Sequence, residues 1–341
     1  MKAWQSRGVT TTLEASLALN PNAPAPTPSS LSTNELLIEV ASAALNPVDI
    51  TTAEMGLLSK LAYRGVYSPG VDFCGRVIAA HPTALASHPE LKEGVHVFGA
   101  LSFPPFPKYG TLGQFTVATV SNCVPVPAGV SPDEAAALAS VGPTALGALA
   151  QVKPGAKVLI NGGSGGVGTF AIQIAKVLGA VHVTTTCSAT NSELCRRLGA
   201  DDVLDYRSMD VVETLKSKGV MYDHIVDIVG NPELKLYENA AAYLKEGGTY
   251  VQVGVPVSLA GILSVAKRAT TPRCLGGGQR RFQFLKAKID AASLRKVGKW
   301  LQDGKLQVVI DQKFEMEDVP KAVEKLRQGR TKGKIVVNVT K

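Results

Sequence analysis

The stretch Val158 to Gly168, VLINGGSGGVG, constrains this chain more than any other. Val158-Leu159-Ile160 is a short apolar run of the kind that forms a buried strand. Gly163-x-Gly165-x-x-Gly168 follows with GxGxxG spacing, and Phe170 to Leu178 continues with helical periodicity. Strand, glycine turn and helix in that order make a pyrophosphate site. One glycine permits a turn at positive φ, one lets backbone approach phosphate without an intervening Cβ, and the last lets helix and strand pack closely. The N–H groups of the helix's first turn then face the anion. A lone GxGxxG is weak, but the flanking strand and helix make it a dinucleotide site.

The end of the next strand bears on which dinucleotide. An NAD site places Asp or Glu about 20 residues after the glycines, on the ribose hydroxyls. Here Val181-His182-Val183-Thr184-Thr185-Thr186 runs into Cys187-Ser188-Ala189-Thr190-Asn191 with no acid. A carboxylate would repel a 2′-phosphate, whereas hydroxyl and amide groups hydrogen-bond it, so NADPH is the expected cofactor. Arg196, Arg197 and Arg207 are candidate cations for that phosphate, or solvated surface charges.

At 341 residues the chain predicts two domains. An apolar content of 45% and a charged content of 19% suit a globular enzyme. No apolar run is long enough to span a membrane, and the opening Met1-Lys2-Ala3-Trp4-Gln5 reads as a strand and not as a leader, so a cytoplasmic protein is expected. Five scattered cysteines, 74, 123, 187, 195 and 274, read as reduced, packed thiols. The net charge of +8 is C-terminal in origin: residues 267–341 hold 19 Lys and Arg against 7 Asp and Glu. That excess steers anionic ligands such as NADPH, acyl-CoA or an acidic carrier protein, or else marks solvated helix faces. With no aromatic interleaving or nucleic-acid motif, nucleic acid is not an expected partner.

From Lys157 onward strands and helices alternate as a doubly wound parallel sheet requires. Strands are expected at 181–186, 202–204, 224–229 and 249–253, and helices near 191–198, 211–216 and 232–244. Before residue 130, short strands (35–40, 75–80, 96–98, 114–118) separated by Pro/Gly/Ser loops predict a small β-barrel-like domain. The proline-rich run Asn20 to Ser32 reads as an exposed, loosely ordered loop. After residue 285 come a helix (291–301), a strand (306–310), a helix (317–328) and a final strand (334–339). That last strand needs a sheet partner and can find one in the first domain.

Several further motifs accompany the glycine turn: Asn46-Pro47-Val48-Asp49, Pro69-Gly70-Val71-Asp72-Phe73-Cys74-Gly75, Gly142-Pro143-Thr144-Ala145, Leu198-Gly199-Ala200-Asp201, Asp205-Tyr206 and Gly333-Lys334-Ile335-Val336. With these the chain resembles, nearly end to end, the medium-chain dehydrogenase/reductase superfamily, in its zinc-free quinone oxidoreductase and enoyl reductase branch. The resemblance implies an α/β fold: a GroES-like β-barrel domain (1–128 and 287–341) and a Rossmann doubly wound parallel sheet domain (129–286). It also implies that no metal is needed. The family's alcohol dehydrogenases hold zinc with a Cys, a GHE histidine and a further Cys or His. Asn46 and Val71-Asp72-Phe73 stand in those places here, and the five histidines form no cluster.

The activity implied is hydride transfer from NADPH to an activated C=C (enone, enal or enoyl thioester) or to a quinone, with hydrogen-bond donors stabilising the oxyanion that forms. By resemblance, Asn46 lines the nicotinamide and substrate, and Thr144 contacts the cofactor. Gly163, Ser164, Gly165, Gly166, Val167 and Gly168 cradle the pyrophosphate, and Ser188, Asn191 and Tyr206 surround the 2′-phosphate. Val229 and Gly230 line the adenosine side, and Gly254, Val255 and Pro256 the nicotinamide amide. Each has a plainer role open to it: Asn46 as a pin for the turn before Pro47, Thr144 as a helix cap, Tyr206 as packing. The tyrosine that many bacterial relatives carry five residues after the Asn is Thr51 here, which leaves Tyr63 and Tyr67 as candidate proton donors. The expected partner is a small molecule, with an acyl carrier protein or a non-catalytic, zeta-crystallin-like role as alternatives. The family also implies a monomer or a homodimer, the latter through edge strands near Cys274 to Phe284.

Overall fold

A computed structural model describes residues 1–56, 59, 65–102, 108–254, 259–270 and 279–340. Tyr63, Val255, Pro256 and Cys274 lie outside these. The chain divides into two compact units. Unit one is Met1–Pro143 with Ile289–Gly304 and Val308–Lys341, and unit two is Thr144–Lys288 with Lys305–Gln307.

Unit one contains strands β1 (Ala3–Gln5), β2 (Ala18–Asn20), β3 (Glu35–Leu45), β4 (Asp72–Ala80), β5 (His96–Ala100), β6 (Phe115–Thr119), β7 (Cys123–Pro125), β14 (Ile310–Glu315) and β15 (Lys334–Asn338). Seven of them form one sheet in the order β14-β15-β3-β4-β5-β7, with β6 also paired to β3. The final strand has the partner its sequence requires: β15 runs antiparallel to β3 with Ile335 opposite Leu45. Leu36, Ile38, Phe73, Val97, Ile335 and Val337 fill the core, each such side chain worth about 1.5–3 kcal/mol on burial. The helix Pro132–Leu138, capped by Ser131, packs on β3, β4 and β5. Its four buried residues, Ala135 to Leu138, carry the unit boundary to 143/144, beyond the expected 128/129.

Unit two is a six-stranded sheet of β8 (Lys157–Asn161), β9 (His182–Cys187), β10 (Asp202–Asp205), β11 (Tyr222–Asp227), β12 (Leu244–Gln252) and β13 (Arg281–Phe284). The order is β10-β9-β8-β11-β12-β13 and every neighbouring pair is parallel, the Rossmann arrangement. The chain starts at β8, steps outward to β10, then returns to β11 on the other side of β8. Ligands of such sheets bind outside the carboxyl ends of the strands at this reversal.

Three local expectations are corrected. The helix expected over 232–244 is two 3₁₀ turns, Pro232–Leu234 and Ala240–Ala242, because Lys235 takes a left-handed conformation (φ 47°) and ends the first. Tyr237 and Tyr243 are then buried, their hydroxyls donating to Arg280 O (2.8 Å) and Leu236 O (2.5 Å). The strand expected at 306–310 lies at Ile310–Glu315, since Gln307 exchanges two hydrogen bonds with the Gln173 side chain in place of a sheet ladder. The loop over residues 20–32 is not loose: Ala23 and Leu31 are buried, and the Met1 ammonium donates to Ala23 O at 2.7 Å.

Cys74, Cys123, Cys187 and Cys195 are buried and free, and burial pushes the Cys74 and Cys123 thiols up to about 12. No helix among the described residues is long and apolar enough to cross a membrane.

Candidate functional site

In unit two, β8 ends with four buried residues and delivers the chain into a tight glycine corner. Gly162 sits at φ 98°, donates its N–H to Thr186 Oγ1 (2.9 Å), and is followed by Gly163, whose N–H donates to Thr186 O (2.9 Å). Gly168 is required by closeness: a Cβ there would stand 2.1 Å from Gly162 O. Gly165 differs, because nothing but Gly162 O, at 3.8 Å, comes near its Cβ position. That space is open to an approaching group. Gly165 caps the helix Gly166–Val177, no side chain fulfils the capping role, and Ser164 to Val167 are only partly covered. The first-turn N–H groups lack intrahelical acceptors and carry the positive end of the helix dipole, so the corner attracts an anion.

Beside it, β9 ends in Cys187 and a 3₁₀ turn, Ala189–Asn191. Asn191 Nδ2 donates to Ser164 Oγ at 3.1 Å, tying this segment to the glycine corner, and Ser188 Oγ lies 3.0 Å from Thr190 Oγ1. Asn191 Oδ1 is buried with no hydrogen-bond partner within the chain, an orphan polar atom of the kind a ribose hydroxyl satisfies. These residues therefore fit a dinucleotide. Tyr206, at the end of β10, is exposed with the Arg207 guanidinium 5.8 Å from its ring centre, and Arg196 and Arg197 are exposed as well.

At the ends of β11 and β12 the expected loops stand together. Val229 is half-exposed, unusual for a large apolar residue, while Gly230 is buried against Gly254: a Cβ on Gly230 would meet Gly254 O at 2.1 Å. The same pairing is held by Gln252, whose Nε2 donates to Gly254 O (2.9 Å) and whose Oε1 accepts from Arg268 Nη1 (2.9 Å). The Arg268 guanidinium also forms a two-pronged pair with Glu238. Thr144, within the helix Val141–Ala148, is buried.

Unit one holds a second polar cluster. Asn46 precedes the helix Pro47–Ala53, its N–H donating to Asp49 Oδ2 at 2.7 Å. Its side-chain Nδ2 donates to Asp72 Oδ2 at 2.9 Å, and its Oδ1 accepts from Lys334 Nζ (2.6 Å) and Ser140 Oγ (3.1 Å). Lys334 spends its other two donors on Leu45 O (2.8 Å) and Asp72 Oδ2 (3.1 Å), so all three are satisfied. Both ends of the Asn46 amide are thus engaged inside unit one. Burial is the main force on Asp49: it raises the carboxyl to about 7, with the Asp72 charge adding to it and the Asn46 N–H and Lys334 opposing. Tyr67 lies in the apolar core beside Ser6, and burial raises its phenol above the ordinary range. Among the described residues no three His, Cys, Asp or Glu side chains are grouped to hold a metal ion.

The structure brings the expected glycine turn, Ser188 and Asn191 together, and places Val229, Gly230 and Gly254 at the neighbouring strand ends. Sequence reading gave no site role to Asp227, Tyr250, Thr186 or Gln252 behind those loops, nor to Ser140 or Lys334 around Asn46. The signal available was charge inside apolar strands: Asp227 closes YDHIVD and Lys334 opens KIVVN.

Residues 32–128 match the alcohol dehydrogenase GroES-like domain and residues 198–337 the zinc-binding dehydrogenase family. The chain is 44% identical to trans-enoyl reductase pgmF of Aspergillus terreus over 99% of its own length and 96% of that protein's. It is 34% identical to the human mitochondrial NAD(P)H oxidoreductase RTN4IP1, over 90% and 82%. A solved quinone oxidoreductase from Coxiella burnetii superposes with a TM-score of 0.83 at 30% identity, over 100% of this chain and 99% of the other. On the fold, the glycine corner and these full-length relatives together, the chain belongs to the medium-chain dehydrogenase/reductase superfamily.

Proposed function

We propose that this protein is a zinc-independent, NADPH-dependent oxidoreductase that passes hydride to an activated C=C, as in an enone, enal or enoyl thioester, or to a quinone. The observation that carries the reading is the pairing of an open phosphate corner at Gly165 with an acid-free segment, Ser188 to Asn191, hydrogen-bonded to it through Ser164. NADPH, when bound, supplies the hydride. The first-turn N–H groups from Gly166 hold the pyrophosphate, while Ser164, Ser188, Thr190 and Asn191 present hydroxyl and amide groups to the 2′-phosphate without a repelling carboxylate. Tyr206 and Thr144 complete the cofactor contacts, and Val229 supplies an apolar wall. In unit one the places of the family's zinc ligands are taken by Asn46 and Asp72, which bond each other and Lys334. Oxyanion stabilisation then falls to hydrogen-bond donors, which suits reduction of an electron-poor double bond.

The name of the pgmF relative favours an enoyl substrate, and with the basic C-terminal third supports a variant of the same reading in which the chain reduces acyl groups borne by an acidic carrier protein. The test is NADPH oxidation by the purified protein against enones, quinones and enoyl thioesters, free and carrier-bound. Turnover on at least one class is expected, with NADPH preferred over NADH. Tight NADPH binding without turnover on any class would favour a non-catalytic role.

A further inference from the structure

The polar side chains behind the cofactor loops converge on one buried carboxylate. Asp227, the last residue of β11, accepts at Oδ1 from Asn161 Nδ2 (2.7 Å) and from the Gly230 N–H (2.9 Å), and at Oδ2 from the Tyr250 hydroxyl (2.6 Å). Its main-chain carbonyl takes the Val253 N–H at 2.8 Å. From Asn161 the chain of bonds continues: Asn161 Oδ1 accepts from Thr186 Oγ1 (2.6 Å), and Thr186 Oγ1 accepts from the Gly162 N–H (2.9 Å). The loops leaving β8, β11 and β12 are therefore fastened to a single residue that is itself shielded from solvent, with no cation among these partners.

A carboxylate satisfied only by neutral donors is costly to bury unless each donor is held in place, and the same bonds hold the donors. Gly230 and Gly254 leave no slack between them, since a Cβ on either would strike the other loop's carbonyls. An unbroken chain of hydrogen bonds thus runs from the glycine turn through Thr186, Asn161 and Asp227 to the Gly230–Gly254 pair. We propose that Asp227 is a positioning residue that couples the pyrophosphate turn to the paired loops after β11 and β12, on the adenosine and nicotinamide sides, so that all are set for the cofactor together. This rests on the reading above that these loops hold NADPH.

The test is a double-mutant cycle on NADPH affinity, read by cofactor fluorescence, with Asp227→Asn, Thr186→Val and the pair. Asp227→Asn keeps the shape but turns an N–H₂ toward one set of donors, and should weaken NADPH binding by about ten- to hundredfold. If the two residues act through one chain of bonds, the pair should weaken binding clearly less than the product of the single losses. Tyr243→Phe removes a buried hydroxyl bond to Leu236 O that lies outside this chain of bonds, so it should lower the melting temperature yet leave NADPH affinity within about threefold, which separates positioning from general loosening. Hydrogen exchange on the unsubstituted protein asks the same question should Asp227→Asn not fold: 2′-phospho-ADP-ribose, which lacks the nicotinamide, should protect the Val253 amide as well as Gly162. Wild-type affinity in Asp227→Asn, multiplicative losses in the pair, or protection confined to the glycine turn would overturn the coupling. A wild-type protein that binds no NADPH would instead overturn the cofactor reading and the coupling with it.

Discussion

Lys334 Nζ lies 2.6 Å from Asn46 Oδ1 and 3.1 Å from Asp72 Oδ2, so the final strand carries the counter-charge for a carboxylate 262 positions earlier in the chain. Both charges are almost fully shielded. Breaking such a pair from one side leaves a buried, uncompensated charge. Lys334→Met should therefore lower stability by about 3–5 kcal/mol, checked by urea denaturation. A loss under about 1 kcal/mol, the worth of a surface pair, would contradict the burial argument.

Asp49 makes stability depend on pH in a stated direction. Its carboxyl titrates near 7 in the folded chain against an ordinary value near 3.8, because burial disfavours the charge. The folded state thus binds more protons between those values, and stability falls as pH rises through that window. Asp49→Asn can still accept the Asn46 N–H through its amide oxygen, and removes the titration. Its denaturation midpoint should be flatter than wild type from about pH 4 to 7 and higher at pH 8.

Two glycines of the same turn should fail in different ways. Gly168→Ala drives a Cβ to 2.1 Å from Gly162 O and should cost both fold stability and cofactor affinity. Gly165→Ala has φ −81° and no atom nearer than 3.8 Å, so the fold should tolerate it. The methyl group would then occupy the proposed approach of the phosphate. Calorimetry should show an unchanged melting temperature and NADPH affinity reduced at least about tenfold.

Asn191→Asp tests cofactor choice. It introduces a carboxylate 3.1 Å from Ser164 Oγ, where the 2′-phosphate is proposed to sit. Affinity for NADPH should fall by about tenfold or more, and NADH should be affected far less, so the ratio of their KM values moves toward NADH. Equal losses for both cofactors would remove the 2′-phosphate from this segment.

The proposed metal independence has a direct readout. The described residues offer no grouped set of three ligating side chains, and the Asn46–Asp72–Lys334 cluster is already hydrogen-bonded within itself. Dialysis against a strong chelator should leave turnover unchanged, and elemental analysis should find far less than one zinc per chain.

The glycine corner and the parallel sheet were legible because their signals are local: a run of buried β residues, glycines at fixed spacing, an amphipathic helix. The β14 strand and the 232–244 segment were misread where tertiary pairing decided the outcome. Gln307 bonds Gln173 instead of a sheet neighbour, and Lys235 adopts a left-handed backbone that its own sequence does not announce. The hydrogen-bond partners of Asn46 and Asp227 were illegible for a related reason. Apart from near neighbours such as Asp49 and Gly230, each three residues along, those partners lie far away in the chain, and single-sequence spacing carries no information about which distant groups a buried polar side chain will find.

The place of β15, between β3 and β14, bears on how the molecule comes to be made. During synthesis β3 lacks its β15 neighbour and Asp72 its cation until the stretch from Lys334 onward has been made. A premature stop before Lys334 would thus leave β3 without its β15 neighbour and Asp72 without its cation, although every other strand of that sheet had been made.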